Sequence, residues 1–81
     1  MVFQFYIVEI HRNAAGEYEH VVHWAWDADY DKALAKGESK YYEVLSRAAV
    51  SEYILHSAIL FGTDGVPVSY KCYDRSQPTP I

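Results

Sequence analysis

The side chains of this chain best suited to chemistry are four histidines, the glutamates near them and one cysteine. His11, His20 and His23 lie close to Glu9 and Glu19, while His56 and Cys72 belong to the C-terminal half. Imidazole and carboxylate together could ligate zinc, which asks for three or four donors converging at about 2 Å. His20 and His23 are three positions apart, so in an extended segment they point to opposite faces. The sequence has neither an HExxH pattern nor a CxxC pair. Glu9 with His23, and His11 with Glu19, can instead meet as cross-strand pairs. Cys72 opposite His56 would resemble a nucleophile and its base. Nothing marks an oxyanion hole, and a small buried thiol beside a polar neighbour explains Cys72 more simply.

Asp27, Asp29 and Asp31 alternate as calcium ligands do, but the other loop ligands and the closing glutamate of an EF-hand are missing. Their place ahead of a helical pattern suits capping of free N–H groups at the positive end of the helix dipole. Phosphate-loop and dinucleotide fingerprints are absent, and Gly16, Gly62 and Gly65 fall in turns. No catalytic, cofactor-binding or metal-binding residue is therefore assigned, no cofactor is expected, and a non-enzymatic role is the expectation.

The elements that would position these residues can be read from periodicity. Val2 to His11 reads as a strand, Asn13-Ala14-Ala15-Gly16 as a three-residue hairpin loop with a glycine bulge, and Glu17 or Tyr18 to about Asp27 as the returning strand. With Asn13 opposite Glu17, paired numbers sum to 30. Both alternating sets of the first strand are apolar: Val2, Tyr6, Val8 and Ile10 on one side, and Phe3, Phe5 and Ile7 on the other. A strand with one wet face would alternate apolar and polar residues. A helix is predicted from an N-cap near Asp29 to Val50–Glu52, with Leu34, Gly37, Tyr41, Leu45 and Ala48 on its apolar stripe and Val44 and Ala49 beside it. Gly37 on that stripe would let the helix backbone approach the sheet; a helix break there is the competing account.

Ile54 to Phe61 and Val66 to Tyr73 read as two further strands around the Gly62-Thr63-Asp64-Gly65 turn. With Gly62 opposite Val66, Leu60 would pair with Val68, Ala58 with Tyr70 and His56 with Cys72. Pro67 suits an edge strand. The expected fold is α+β with order ββαββ, a four-stranded, mainly antiparallel sheet carrying one helix on one face. Residues 1–73 form the single domain and 74–81 a flexible C-terminal tail.

Eighty-one residues make one small domain, 51% hydrophobic and with eight tyrosines. That is more apolar surface than a small monomer hides easily. One helix covers one sheet face, and burying roughly 600 Å² on the other would contribute about 15 kcal/mol before association costs. A homodimer is expected. The net charge of −4, with Lys32, Lys36 and Lys40 dispersed, argues against nucleic acid as a partner. Trp24, Trp26, Tyr6 and Phe5 could stack bases, but with this charge balance they fit a core and an interface better. A lone cysteine precludes an intrachain disulfide and fits a reducing compartment. Without a signal-peptide pattern or a membrane-length apolar run, a cytoplasmic location is expected and no membrane partner.

The segments Val8-Glu9-Ile10, Glu38-Ser39-Lys40-Tyr41-Tyr42-Glu43-Val44-Leu45, Ala48-Ala49-Val50-Ser51 and His56-Ser57-Ala58 together resemble small uncharacterised proteins of bacterial and prophage origin. The resemblance implies an accessory protein and brings no activity or site residue with it. The sequence thus points to a protein-interaction module that self-associates through an aromatic sheet face, with Phe3, Phe5, Ile7, Tyr41, Tyr42 and Tyr73 as the expected interaction surface. The alternatives are an acidic inhibitor of a nucleic-acid-handling enzyme, and a small ligand-binding or enzymatic domain with its site at a dimer interface.

Overall fold

The computed structural model describes residues 1–75. Its first hairpin joins β1 (Phe3–Arg12) to β2 (Tyr18–Asp27), with Phe3 opposite Asp27 and Arg12 opposite Tyr18. Paired numbers sum to 30, as expected. The loop fixes this register. The Asn13 side-chain oxygen accepts from the backbone N–H groups of Ala15 and Glu17, both at 3.0 Å. The Asn13 N–H donates to the Glu17 carbonyl at 3.0 Å. Gly16 closes the turn at φ 87°, a conformation that favours glycine.

Helix α1 (Tyr30–Val50) starts from Asp29, whose carboxylate accepts from the Lys32 N–H at 3.0 Å, and ends at the Ser51 cap. The helix runs unbroken through Gly37. Its buried residues are Ala33, Gly37, Tyr41, Val44 and Ala48, with Leu34 and Leu45 packed at the margin. The buried stripe is therefore rotated from the expected one, which gave Leu34 and Leu45 central places. Small residues hold the centre because the helix lies close to the sheet. A Cβ on Gly37 would stand 3.1 Å from the Phe5 Cβ and 3.3 Å from its Cγ.

Two further strands, β3 (Leu55–Phe61) and β4 (Pro67–Asp74), complete an antiparallel sheet of order β2-β1-β3-β4. The fold is the expected α+β arrangement, with β1 in the interior of the sheet and α1 crossing over it from β2 to β3. The second hairpin corrects one expectation. Gly62 does donate to the Val66 carbonyl at 2.9 Å, but a bulge between Leu60 and Phe61 then shifts the register by one. Ser57, not His56, lies opposite Cys72, and Ile59, not Ala58, lies opposite Tyr70. A one-residue slip exchanges faces, so Cys72 and His56 occupy opposite sides of the sheet. The nucleophile–base pairing has no geometric basis.

The chain also stays tied down past residue 73. Asp74 ends β4, and Arg75 donates from its guanidinium to the Ala48, Ala49 and Tyr53 carbonyls and from its backbone to the Ile54 carbonyl. The remainder of the expected tail, 76–81, lies outside the described residues.

The core between helix and sheet is built from Phe5, Ile7, Ala58 and Leu60 beneath Ala33, Tyr41 and Val44. Odd-numbered residues of β1 therefore face the helix. Replacing Gly37 with alanine tests how tightly the two layers meet. Helix propensity would gain about 1 kcal/mol, while overpacking against the Phe5 Cβ, which is fixed to its backbone, costs about 1–3 kcal/mol. Gly37→Ala should lower the denaturation midpoint and Gly37→Leu should lower it much further. A stabilised Gly37→Ala variant would contradict the close approach.

Candidate functional site

Two features could support function: a buried acid–imidazole cluster under the C-terminal half of α1, and the sheet face that the helix leaves open.

The cluster centres on Glu9, which is only 3% exposed. Glu9 Oε1 meets His23 Nε2 at 2.9 Å and Arg47 Nη2 at 3.4 Å, and Oε2 meets His56 Nε2 at 2.5 Å. Burial by itself pushes this carboxyl up. The hydrogen bonds from His23 and His56, with the charge of Arg47, outweigh burial and hold it below its ordinary range. Glu9 is therefore ionised at neutral pH and can only accept, so both Nε2 atoms carry their protons. His56 Nδ1 meets Ser51 Oγ at 2.9 Å, and the Ser51 hydroxyl also lies 3.4 Å from the Ala48 carbonyl. His11 stacks on Tyr53 with ring centroids 4.0 Å apart and reaches Glu19 at 3.8 Å.

The two cross-strand pairs read from the sequence, Glu9 with His23 and His11 with Glu19, are both present. His56, Arg47 and Ser51 were missed as members of the cluster. Their approach depends on β1 pairing with β3, which sets His11 opposite His56, and the local sequence holds no signal for that. Both Glu9 oxygens are engaged, and the relay from Glu9 through His56 ends on the half-buried Ser51 hydroxyl at the helix cap. Among the described residues no three His, Cys, Asp or Glu side chains are grouped to hold a metal ion. Two surface depressions, of about 410 Å³ beside Trp24, Ala25, Trp26, Lys36 and Lys40 and about 480 Å³ beside Asn13, Ala14, Glu52 and Tyr53, are lined by neither Glu9 nor His56. The cluster joins β1, β2, β3 and the helix end.

The open face is formed by the even-numbered residues of β1 and β2 and continues through Ile59 to Tyr70, beside the bulge residue Val68. Trp24 is 58% exposed, Trp26 59% and Tyr70 63%, and Val22 and Val68 are exposed as well. Tyr6, Val8 and Ile10 are half-buried between them. Tyr6 meets Trp24 edge-on at 4.8 Å, which fixes the ring orientation.

This corrects the expected interaction surface. Phe5 and Ile7 are fully buried beneath the helix, and Phe3 packs against that core and edge-on to Tyr30. Tyr41 is buried too, and burial pushes its hydroxyl up. Tyr42 is exposed, on the outer side of the helix, and Tyr73 is half-buried. The aromatic surface is therefore the even set of the first hairpin, not the odd set. With both sets apolar, the sequence pattern offered no signal to choose the one that meets the helix.

Comparison with protein families, curated proteins and solved structures finds no match to this chain. Among the described residues no helix is long and apolar enough to cross a membrane.

The Glu9 cluster makes stability acid-sensitive. Because folding lowers the Glu9 carboxyl, its contribution is complete above the unfolded value near about 4.3 and is lost as pH falls through the lower folded value. Glu9→Gln should cost about 2–4 kcal/mol at neutral pH. It should also flatten the decline of the urea midpoint as pH falls below about 4.3. An equal acid slope in the variant and the parent would show that Glu9 is not the group responsible.

Proposed function

We propose that this chain is a small protein-interaction module without catalysis of its own, which self-associates through the aromatic face of its sheet and serves as a bacterial or phage accessory protein. The observation that supports this most is the lack of covering: Tyr6, Val8, Val22, Trp24, Trp26, Ile59 and Tyr70 form one apolar surface on the side of the sheet away from the helix. Isolated exposed apolar residues are ordinary, but a contiguous patch rimmed by polar groups marks an interaction site.

Charge placement favours a second copy as the occupant. The charged groups at this face, Arg12, Asp74 and Lys36, whose Nζ lies 6.0 Å from the Trp26 ring centroid, stand at its rim, so the centre neither attracts a charged ligand nor repels its own kind. Strands about 4.8 Å apart and paired over about seven residues give each copy a flat footprint of roughly 450 Å². Protruding indoles enlarge the accessible area, and two copies would bury on the order of 1,000 Å², the lower bound for a specific interface.

The acidic-inhibitor reading finds less support. Glu17 and Glu19 lie at the tip of the first hairpin, whereas Asp27, Asp29 and Asp31 lie at its far end, where Asp27 pairs with Lys36 at 2.9 Å. Such a division does not imitate a run of phosphates.

Sedimentation over a wide concentration range should show a reversible dimer, with a blue shift of tryptophan emission on association as Trp24 and Trp26 leave water. A double substitution Val68→Lys and Tyr70→Lys, at exposed positions where stability changes by only about 0.5 kcal/mol, should weaken the dimer at least tenfold. A parent chain that stays monomeric at the highest concentration removes the proposal.

A further inference from the structure

The two edges of the sheet are treated differently. β4 has devices that discourage pairing with another strand: Pro67 at its start, a bulge in its ladder with β3 and Lys71 within it. β2 has none of them. It is ten residues long, YEHVVHWAWD, regular, free of proline and lysine, and rich in valine and tryptophan. Among the described residues no strand pairs with its outer edge.

The hydrogen-bond phase of β2 is fixed by its hairpin. Asn13 and Glu17 form a bonded pair, and bonded pairs recur at every second residue of an antiparallel ladder. The odd residues Glu19, Val21, His23 and Ala25 therefore bond inward to β1, and the even residues turn their N–H and C=O groups outward. The Trp26 carbonyl confirms this phase, because it accepts from Lys36 Nζ at 3.3 Å. Lys36 thus occupies the last outward carbonyl and leaves Tyr18, His20, Val22 and Trp24 as the open edge.

We propose that two copies of this chain join edge to edge through β2, antiparallel about a twofold axis at Val21, to form one continuous eight-stranded sheet. The proposal rests on the self-association reading and specifies a contact in the plane of the sheet. Several features select the register. The even residues must meet even residues for their outward groups to bond, so paired numbers sum to an even value. A sum of 42 centres the pairing on the four open residues, placing Tyr18 opposite Trp24 and His20 opposite Val22. It brings Glu19 of one copy opposite His23 of the other. Val21, the exposed apolar residue on the helix side of β2, then meets its own counterpart. A sum of 44 would set Glu17 against Asp27, and 46 would set Glu19 against Asp27, in each case like charges.

Three measurements on the full chain test this. In the parent protein, hydrogen exchange at the Val22 and Trp24 amides should slow at least tenfold on raising the concentration from mostly monomer to mostly dimer; unchanged exchange overturns edge pairing. Val21→Cys, with Cys72→Ser to remove the native thiol, should oxidise to a covalent dimer, because a facing unbonded pair lies about 4.5 Å apart at Cα, within disulfide reach. Glu19→Cys in the same background should not, since its two copies would be four residues out of register. Equal cross-linking of both overturns the register. Val22→Pro removes an outward N–H while keeping an apolar side chain on the open face, and should reduce the dimer at least tenfold. If it fails to fold, the exchange measurement on the parent decides.

The face and edge contacts separate cleanly. Dissociation by Val22→Pro but not by the Val68→Lys, Tyr70→Lys pair supports the edge and overturns face-to-face dimerisation. The reverse overturns the edge and leaves the face reading standing. A tetramer that each substitution reduces to a dimer supports both, and a monomeric parent chain overturns both.

Discussion

One helix must serve a sheet that is apolar on both sides, and the rest of the structure follows from how that helix is seated. It lies low on the sheet because Ala33, Gly37 and Ala48 face inward and Gly37 admits the Phe5 Cβ to 3.1 Å of where its own Cβ would stand. Close seating gives a dense contact with Phe5, Ile7 and Leu60, all at or near zero exposure. A helix about 10–12 Å across cannot also wrap around a sheet four strands wide. The second apolar set is therefore left outside. Its exposure results from topology, not from any weakness in the core.

Beneath the C-terminal half of the helix the same close seating creates a different problem. Glu9 continues the helix-facing alternation of Phe5 and Ile7, so a carboxylate enters the interior. Burial of such a group is costly unless it is paired and hydrogen-bonded. Here the partners come from three directions: His23 from β2, His56 from β3 and Arg47 from the helix. Ser51 and Arg75 then connect this end of the helix to β3 and to the end of β4. An apolar residue in place of Glu9 would satisfy the core but would leave the two imidazoles without their acceptor. The cluster is thus a set of mutually dependent choices that ties β2, β1 and β3 to one another and to the helix.

The parts of this architecture that were legible in the sequence are those set by local chemistry. The first hairpin follows from Asn13 and Gly16, and the helix start follows from Asp29. The second hairpin was legible only at its turn. Gly62 and Val66 bond as expected, but the bulge between Leu60 and Phe61 has no marker in the residues themselves, and one slipped residue was enough to separate His56 from Cys72. The choice of helix-facing set was equally hidden, because Tyr6, Val8 and Ile10 are as apolar as Phe3, Phe5 and Ile7. Arg47 reads as a solvent-facing helix residue until β1 and β3 are paired, since its contact with Glu9 spans 38 positions.

In β2 the two alternations of a strand coincide in a useful way. The even residues place their side chains on the open face and their backbone donors and acceptors on the open edge. Any antiparallel partner that bonds to this edge through its own even residues must present its side chains on the same side. Two copies joined there necessarily bring both helices to one side and both aromatic faces to the other. The open face of about 19 Å width becomes one of about 38 Å, with the indoles of Trp24 from both copies near its middle. Edge pairing would not hide the aromatic surface. It would double it, and a doubled apolar face calls still more strongly for a protein to lie against it.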